Sequence, residues 1–294
     1  MTPAAPPRNF TLCLVGAGRA GTAVAAALQG AGHRVAAVAS RTASSAQPAA
    51  ARLGTPVVSV DELPPCDVVL LGVPESALEP VAGAVARGIA PGTVVWHLAG
   101  ATGVDVLGAV AAHEGFRCAL HPVQAFPDVD AGLARLPGSA WGLTCDEGIE
   151  DWARRVVTED LGGRVFDVRE PDRPVWHAAA VTAAGGAIAI MSLGEQLLAA
   201  IGVASAGDVL GPLAGAAVEN AARRGATESL TGPAVRGEWE TVTSHVRALE
   251  AVAPELVEPY REATRLILRV AASAGKVTPE ARRAAAAALG EGPA

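Results

Sequence analysis

The stretch "TLCLVGAGRAG", Thr11 to Gly21, decides the fold that the sequence predicts. It places three glycines in the spacing G-x-G-x-x-G, after an apolar run and at the start of an alanine-rich segment. Between a strand and a helix, this spacing is the fingerprint of a dinucleotide site. Gly16 permits the tight turn, Gly18 lets the backbone approach a pyrophosphate, and Gly21 lets helix and strand pack closely. The predicted cofactor contacts are Gly16, Ala17, Gly18, Arg19, Ala20 and Gly21.

Short apolar runs alternate with helical stretches as far as about residue 170, which predicts a doubly wound α/β domain. The runs "DVVLLG" (67–72) and "TVVWH" (93–97) are apolar without alternation, as expected of parallel strands covered on both faces. Beyond residue 171 the pattern is all-α. Strands are predicted at Thr11–Val15, Arg34–Ala39, Pro56–Val58, Asp67–Gly72, Thr93–His97, Arg117–Leu120, Trp141–Thr144 and Arg164–Val168. We therefore predict a disordered leader (1–8), a Rossmann domain (9–170) and a helical substrate and dimerisation domain (171–294).

The stretch Val175–Ile201 is almost entirely apolar, and its only charge is at Glu195. A helix that is apolar all round is predicted to be buried on all sides. In a domain of this size such burial often uses a second copy of the chain, so we predict a homodimer.

The composition argues against several classes of partner. The chain has 294 residues, half of them apolar, a net charge of -7 and no basic stripe, which speaks against nucleic acid and anionic membranes. No apolar run long enough to cross a bilayer is free of glycine, proline and charge, so no membrane span is predicted. The start of the chain has no secretory signal pattern, and the four cysteines form no CxxC pair. We therefore predict free thiols, no metal site and a cytoplasmic location.

The segment after the second predicted strand selects the cofactor. NAD sites place a carboxylate there for the ribose 2′-hydroxyl, but this chain has Ser40, Arg41 and Thr42. A guanidinium flanked by hydroxyls favours a 2′-phosphate, which a carboxylate would repel. We therefore predict NADP(H) rather than NAD(H). The alternative is a solvated arginine beside a serine that caps the next helix.

Two further strand ends are predicted to contact the cofactor, because ligands of doubly wound sheets bind at the carboxyl ends of the strands. In "LLGVPESAL" (70–78), the rigid turn Gly72, Val73 and Pro74 is suited to lie along a ribose and the pyrophosphate. In "VVWHLAG" (94–100), Leu98 and Ala99 are small or apolar and lie near the predicted nicotinamide position.

Polar residues in apolar surroundings are the candidates for chemistry. His121 in "LHPVQAFP" and His177 in "PVWHAAAVTAAGG" are the candidate proton donors for a hydride-transfer reaction. Asn220, Arg236 and Glu238 are candidates for orienting a substrate, with Arg236 suited to clamp a carboxylate. The alternative for His177 is a histidine satisfied within a core.

The motifs "GAGRAG", "VASRT", "HPVQAFP", "HAAAV", "GPLAGAAVENA" and "TGPAVRGEWETVTSHVRAL" together resemble the Rossmann-like proteins with a C-terminal DUF2520 domain, from Asn9 to Ala274. That family is similar to coenzyme F420-dependent NADP oxidoreductases, pyrroline-5-carboxylate reductases and ketopantoate reductases. The resemblance implies a Rossmann domain, a helical dimerisation domain and NADP binding, but no particular substrate.

The chain departs from that family pattern at two places. Gly185 stands where the family often has an asparagine, eight residues after His177, and Arg236-Gly237-Glu238 replaces an RGD motif. The only lysine is Lys276, after the matched helices, so a helical-domain lysine cannot serve as the acid or base here.

Taken together, the sequence predicts an NADPH-dependent reductase of a small carbonyl compound, such as a 2-oxo acid, or of an imine. Two alternatives stay open. One is a non-catalytic NADP-binding sensor or scaffold, and the other is a reductase that exchanges hydride between NADP and the deazaflavin F420, which needs no side-chain acid.

Overall fold

The computed structural model describes residues 5–290, which divide into two compact units, one up to Val181 and one from Thr182. Residues 1–4, half of the predicted leader, lie outside the described residues. The division falls inside a long helix, somewhat beyond the predicted domain boundary at residue 171.

One eight-stranded sheet forms the centre of the first unit, in the order β3-β2-β1-β4-β5-β6-β7-β8. Its strands are β1 (Thr11–Val15), β2 (Arg34–Ala39), β3 (Val57–Val58), β4 (Val68–Leu71), β5 (Val94–His97), β6 (Phe116–Val123), β7 (Ala140–Cys145) and β8 (Arg164–Asp167). Every neighbouring pair is parallel except β6 and β7. The strand order reverses between β1 and β4, which is where a doubly wound sheet opens a ligand crevice. The predicted doubly wound fold is confirmed.

All eight predicted strands are present, most of them within one residue of the predicted bounds at each end. β4 and the three apolar residues of β5 are fully buried, as their unbroken apolar runs predict. β6 is longer than predicted because its second half pairs antiparallel with β7, as far as Val123 opposite Ala140.

Helices cover the sheet of the first unit: α1 (Arg19–Gly30), α2 (Ala43–Leu53), α3 (Leu78–Ala86), α4 (Gly108–Ala112), α5 (Val129–Arg135) and α6 (Glu150–Arg155). Short 3₁₀ turns at Glu75–Ala77 and Val104–Leu107 lead directly into α3 and α4. The sequence analysis missed α5, which is short and begins where the Asp128 carboxylate accepts a hydrogen bond from the N–H of Ala131, at 2.7 Å.

Three glycines interlock where α1 meets the sheet. Gly16 has a φ of +93°, and a methyl group there would lie 2.7 Å from the carbonyl carbon of Gly72. A methyl group on Gly72 would lie 2.6 Å from the carbonyl oxygen of Gly16, and one on Gly21 would lie 3.1 Å from Cα of Gly72. Only glycine fits at these positions, so the backbones of the β1–α1 turn and of the residue after β4 meet directly.

The second unit is helical, and it contains most of α7 (Arg173–Ala200) together with α8 (Ala206–Arg224), α9 (Ala226–Ser229), α10 (Pro233–Arg236), α11 (Trp239–Val252), α12 (Val257–Ser273) and α13 (Pro279–Ala288). The predicted burial of α7 on all sides is wrong for the single chain, because Arg173 is its only buried residue. Ile188, for example, is 71% exposed. By length and composition alone, the segment Glu170–Ala200 would also be able to cross a membrane, which is weak evidence because a core helix of a soluble protein passes the same test.

The glycine contact generates a stability prediction. Gly72→Ala forces a methyl group against backbone atoms, and we expect it to lower the free energy of unfolding by about 1–3 kcal/mol. The matched control is Gly83→Ala in α3, where a methyl group meets no atom within 4 Å and should stabilise the helix by about 0.5–1 kcal/mol. Urea denaturation measures both, and equal stability of the two variants would contradict the close packing.

Candidate functional site

A cleft of about 540 Å³ opens at the carboxyl ends of the strands of the first unit. It is lined by Ala20, Gly72, Val73, Pro74, Glu75, Ser76, Leu98, Ala99, Gly100, His121 and His177. Six of these are predicted cofactor contacts and two are the predicted proton donors. The fold therefore brings the glycine-rich turn and both candidate histidines to one place.

The N-terminus of α1 borders this cleft. Gly18 is the N-cap residue, no side chain caps the helix, and its first turn holds no acidic residue. The first N–H groups of such a helix point outward without partners and attract an anion. Arg19 bonds through Nη1 to the carbonyl oxygen of Pro127 at 2.8 Å, which anchors the first turn. Ala17 packs, partly buried, against the core.

The segment after β2 presents a cation beside a capped helix. The Thr42 hydroxyl accepts a hydrogen bond from the backbone N–H of Ser45, at 3.4 Å, so the predicted cap of α2 is a threonine rather than a serine. Ser40 is half-buried and Arg41 is exposed. The Arg41 guanidinium has no hydrogen-bond or ion-pair partner among residues 5–290, so its donors face solvent.

The loop that follows β5 is held by a buried histidine. His97 is fully buried, accepts a hydrogen bond at Nδ1 from the N–H of Ala99 (3.2 Å), and bonds through Nε2 to the carbonyl oxygen of Gly103 (2.9 Å). Burial and, to a smaller extent, the nearby Arg173 charge lower the pKa of His97 to about 4, against the opposing effect of the hydrogen bond to Gly103. His97 is therefore neutral at neutral pH and braces the loop that carries Leu98 and Ala99.

A buried arginine joins the strand ends beneath the cleft. Arg173 donates through Nη1 to the Thr144 hydroxyl at 2.9 Å and through Nη2 to the carbonyl oxygen of Ala99 at 3.1 Å. Its Nη1 also lies within reach of the carbonyl oxygens of Ala119 and Gly142, at 3.3 and 3.4 Å. No carboxylate among residues 5–290 forms an ion pair with Arg173, and its Nε has no partner there. The site is thus built around a fixed positive charge that no acid neutralises by direct contact.

The two cleft histidines lie edge to face. The ring centroids of His121, on β6, and His177, on α7, are 5.5 Å apart at 85°. Trp176 donates from its indole nitrogen to Nδ1 of His121 at 3.1 Å. Burial, together with the nearby His177, Arg173 and His97, lowers the pKa of His121 to about 4. The His121 ring is therefore neutral at neutral pH.

The other predicted substrate residues belong to the second unit. The Arg236 Nε bonds to the Glu238 carboxylate at 2.6 Å, and this contact raises the pKa of Arg236 and lowers that of Glu238. Both side chains are exposed, and Asn220 is exposed on α8. Lys276 bonds through Nζ to the carbonyl oxygen of Thr227 at 2.6 Å. The substrate-orienting role of Asn220, Arg236 and Glu238 stays a prediction.

The sequence analysis missed three residues that line the cleft, Glu75, Ser76 and Gly100, and it also missed Arg173 and Trp176. The position of Arg173 could have been predicted from the sequence. It lies four residues before the candidate His177, and residues at that spacing share one face of a helix. Glu75 accepts a hydrogen bond from the N–H of Ala101 at 3.1 Å, and a methyl group on Gly100 would lie 2.9 Å from Nε2 of His121. Neither contact could be predicted from the sequence, because each joins residues that are more than twenty positions apart in the chain. Among residues 5–290 no group of three or more His, Cys, Asp or Glu side chains is placed to hold a metal.

Two family models match the chain. A Rossmann-like domain matches residues 4–122, and a domain of unknown function (DUF2520) matches residues 139–267. The resemblance predicted from the motifs is confirmed in both halves. No curated protein matches the chain.

Solved structures share the fold of the Rossmann-like and DUF2520 domains. A Bacteroides fragilis protein proposed to be an NADP oxidoreductase is 22% identical, with a TM-score of 0.75 over 89% of this chain and 98% of that one. A Thermotoga maritima protein is 24% identical, with a TM-score of 0.68 over 89% and 98%. Plasmodium falciparum pyrroline carboxylate reductase with NADP bound is 12% identical, with a TM-score of 0.60 over 88% and 98%. At these identities the likeness establishes the fold.

The buried His97 generates a prediction about pH and stability. Its pKa is about 4 in the folded chain against 6.5 in the unfolded chain, so between these values the unfolded state binds more protons. The free energy of unfolding should therefore fall as the pH falls from 6.5 towards 4, by up to roughly 3 kcal/mol from this residue. Urea denaturation at several pH values measures the slope.

The control for this prediction is a pair of variants. His97→Gln should be less stable at pH 7 and should show a flatter slope between pH 6.5 and 4, whereas His113→Gln, at an exposed position, should keep the slope of the unsubstituted chain. The same slope in the His97 variant would show that this histidine is not held neutral.

Proposed function

We propose that the protein is an NADP(H)-dependent oxidoreductase that reduces a small carbonyl or imine compound. The observation that carries this proposal is the cleft of the first unit, where the glycine turn that suits a dinucleotide and a pair of histidines line the same space. The oxidoreductase and reductase descriptions of the proteins that share the fold support it.

The residues present fit a dinucleotide. The interlocked glycines leave a cradle that any side chain would fill, and the uncapped N-terminus of α1 offers N–H groups to a pyrophosphate. Arg41, with the hydroxyls of Ser40 and Thr42 beside it, would hold a 2′-phosphate. Gly72, Val73 and Pro74 would lie along the cofactor, and Leu98 and Ala99 would support its nicotinamide end.

The bound cofactor supplies a hydride to the substrate. The chain's own residues then have three tasks: His97 and Arg173 hold the loop of Leu98 and Ala99 in place, His121 and His177 offer polar contacts to the reacting group, and the apolar lining limits water. Because His121 is neutral at neutral pH, it acts as a hydrogen-bonding group there, and the proton that completes the reduction comes from water.

Turnover separates this proposal from the two alternatives. A sensor or scaffold would bind NADP(H) without oxidising it in the presence of any carbonyl or imine compound. A deazaflavin reductase would oxidise NADPH only when F420 is supplied. A small-molecule reductase oxidises NADPH with a metabolite alone.

The cofactor choice generates a binding prediction. NADPH should bind more tightly than NADH by about tenfold to a hundredfold, since one or two charge-assisted hydrogen bonds hold the 2′-phosphate. Arg41→Ala should remove most of this difference while leaving NADH affinity unchanged. Fluorescence titration measures the dissociation constants of both cofactors, and Arg87→Ala, which changes the exposed C-cap residue of α3, serves as the control. Equal affinities in the unsubstituted chain would contradict the NADP assignment.

We further propose that a second copy of the chain covers the apolar helices of the second unit, and that the dimer is soluble and cytoplasmic. Exposed apolar residues of this kind mark interaction surfaces. Within the second unit, the large exposed apolar side chains on or beside α7 and α8 are Ile188, Ile190, Ile201, Val209, Leu213 and Val218.

The dimer generates its own prediction. Light scattering should give about twice the chain mass of 29.4 kDa. Ile188→Lys should shift the protein towards the monomer, because a charge in a buried apolar contact is unfavourable. Val57→Lys, at an exposed apolar position on β3, should leave the dimer intact. A monomeric unsubstituted chain, or one recovered only with membranes, would refute the proposal.

A further inference from the structure

Trp176 determines which nitrogen of His121 carries the proton. The indole N–H can only donate a hydrogen bond, and it lies 3.1 Å from Nδ1 of His121. Nδ1 must therefore be the acceptor, without a proton of its own. In the neutral ring the proton is then on Nε2.

The other nitrogen of His121 points at the cleft. A methyl group on Gly100, which lines the cleft, would lie 2.9 Å from Nε2 of His121. No group among residues 5–290 accepts a hydrogen bond from this nitrogen. The same methyl group would lie 2.5 Å from Cδ2 of His177, so both histidine rings lie against Gly100 and the Nε2–H group is left for an acceptor in the cleft.

The groups around His121 oppose its protonation. His177 stands edge to face with it, the Arg173 guanidinium lies below it without a carboxylate partner, and His97 is buried nearby. The Glu75 carboxylate also lines the cleft, but one of its oxygens accepts from the N–H of Ala101. Burial, followed by the electrostatic effects of His177, Arg173 and His97, lowers the pKa of His121 to about 4.

We propose that Trp176 is a positioning residue that fixes His121 as a neutral Nε2–H donor, and that the cleft therefore takes a substrate whose reduced group is a carbonyl rather than a protonated iminium. A carbonyl oxygen accepts the hydrogen bond, which strengthens as charge develops on that oxygen. A protonated iminium carries an N–H donor and a positive charge. It would therefore face the Nε2–H donor of His121 without offering an acceptor, and the positive charge of Arg173 would repel it. This inference rests on the proposed function and narrows its substrate class.

The reduction balances as follows. The carbonyl carbon gains a hydrogen with both bonding electrons from the reduced cofactor, the electrons of the C=O π bond move to oxygen, and the oxygen takes a proton from water. The product is an alcohol, the cofactor is left oxidised, and His121 keeps its proton throughout.

The first test is spectroscopic and uses the cofactor-free protein. In ¹⁵N-histidine NMR spectra at pH 7, His121 should be the Nε2–H tautomer, and its titration should lie near pH 4. Trp176→Phe keeps an aromatic ring against Gly142 but removes the donor. It should give a mixture of tautomers, because Nδ1 no longer meets a group that can only donate.

Trp152→Phe is the matched control, since the Trp152 indole nitrogen has no partner in the described chain and its loss should leave the His121 signals unchanged. An Nδ1–H tautomer in the unsubstituted protein, or unchanged His121 signals in the Trp176 variant, would overturn the positioning role whatever the activity.

The second test is kinetic and uses pyruvate with a panel of small 2-oxo acids, and 1-pyrroline as the imine. The unsubstituted enzyme should reduce a 2-oxo acid with a higher kcat/KM than 1-pyrroline. Trp176→Phe should lower kcat for the oxo acid about fivefold to tenfold, the value of one hydrogen bond, with the Kd of NADPH unchanged.

The outcomes separate the two proposals. Preference for 1-pyrroline, or no turnover of any 2-oxo acid, overturns the carbonyl assignment. Absence of NADPH binding instead overturns the proposed function, and the tautomer measurement still decides the role of Trp176.

Discussion

The close approach of three glycine backbones governs the rest of the site. Gly16, Gly21 and Gly72 meet at distances that admit no side chain, so the first turn of α1 lies directly against the end of β4. That contact exposes the uncapped N–H groups of α1 at the switch point between β1 and β4. The uncapped N-terminus of α1 attracts an anion. It borders the cleft, which Ala20 in the first turn of α1 lines. The same cleft is lined by the strand ends that carry Leu98 and His121.

Electrostatics shape the far end of the cleft. Arg173 is buried among backbone carbonyl oxygens, with no carboxylate bonded to it among the described residues, so its charge acts on the neighbouring histidines. A neutral His97 braces the loop after β5, and a neutral His121 accepts from Trp176. His97 and His121 are thereby polar groups that stay uncharged at neutral pH.

The sequence predicted the sheet well and the site in part. Unbroken apolar runs and glycine spacing are local signals, so the eight strands and the cofactor turn could be located from them. Arg173 and Trp176 could not, because their partners lie far away in the chain: Trp176 and His121 are 55 residues apart. The tautomer of His121 depends on that contact alone. The exposure of α7 was also missed. An apolar sequence indicates that burial of the helix is favourable, but it does not show whether residues of the same chain bury it.

The crystal structure of the protein with bound NADPH tests the central claim most directly. The glycine contact requires the pyrophosphate to lie within hydrogen-bonding distance, about 2.7–3.2 Å, of the first N–H groups of α1. It also requires the nicotinamide to face Gly100 and His121. A cofactor bound elsewhere on the chain, or density that leaves the turn at Gly16 and Gly18 empty while NADPH is present, would contradict the account.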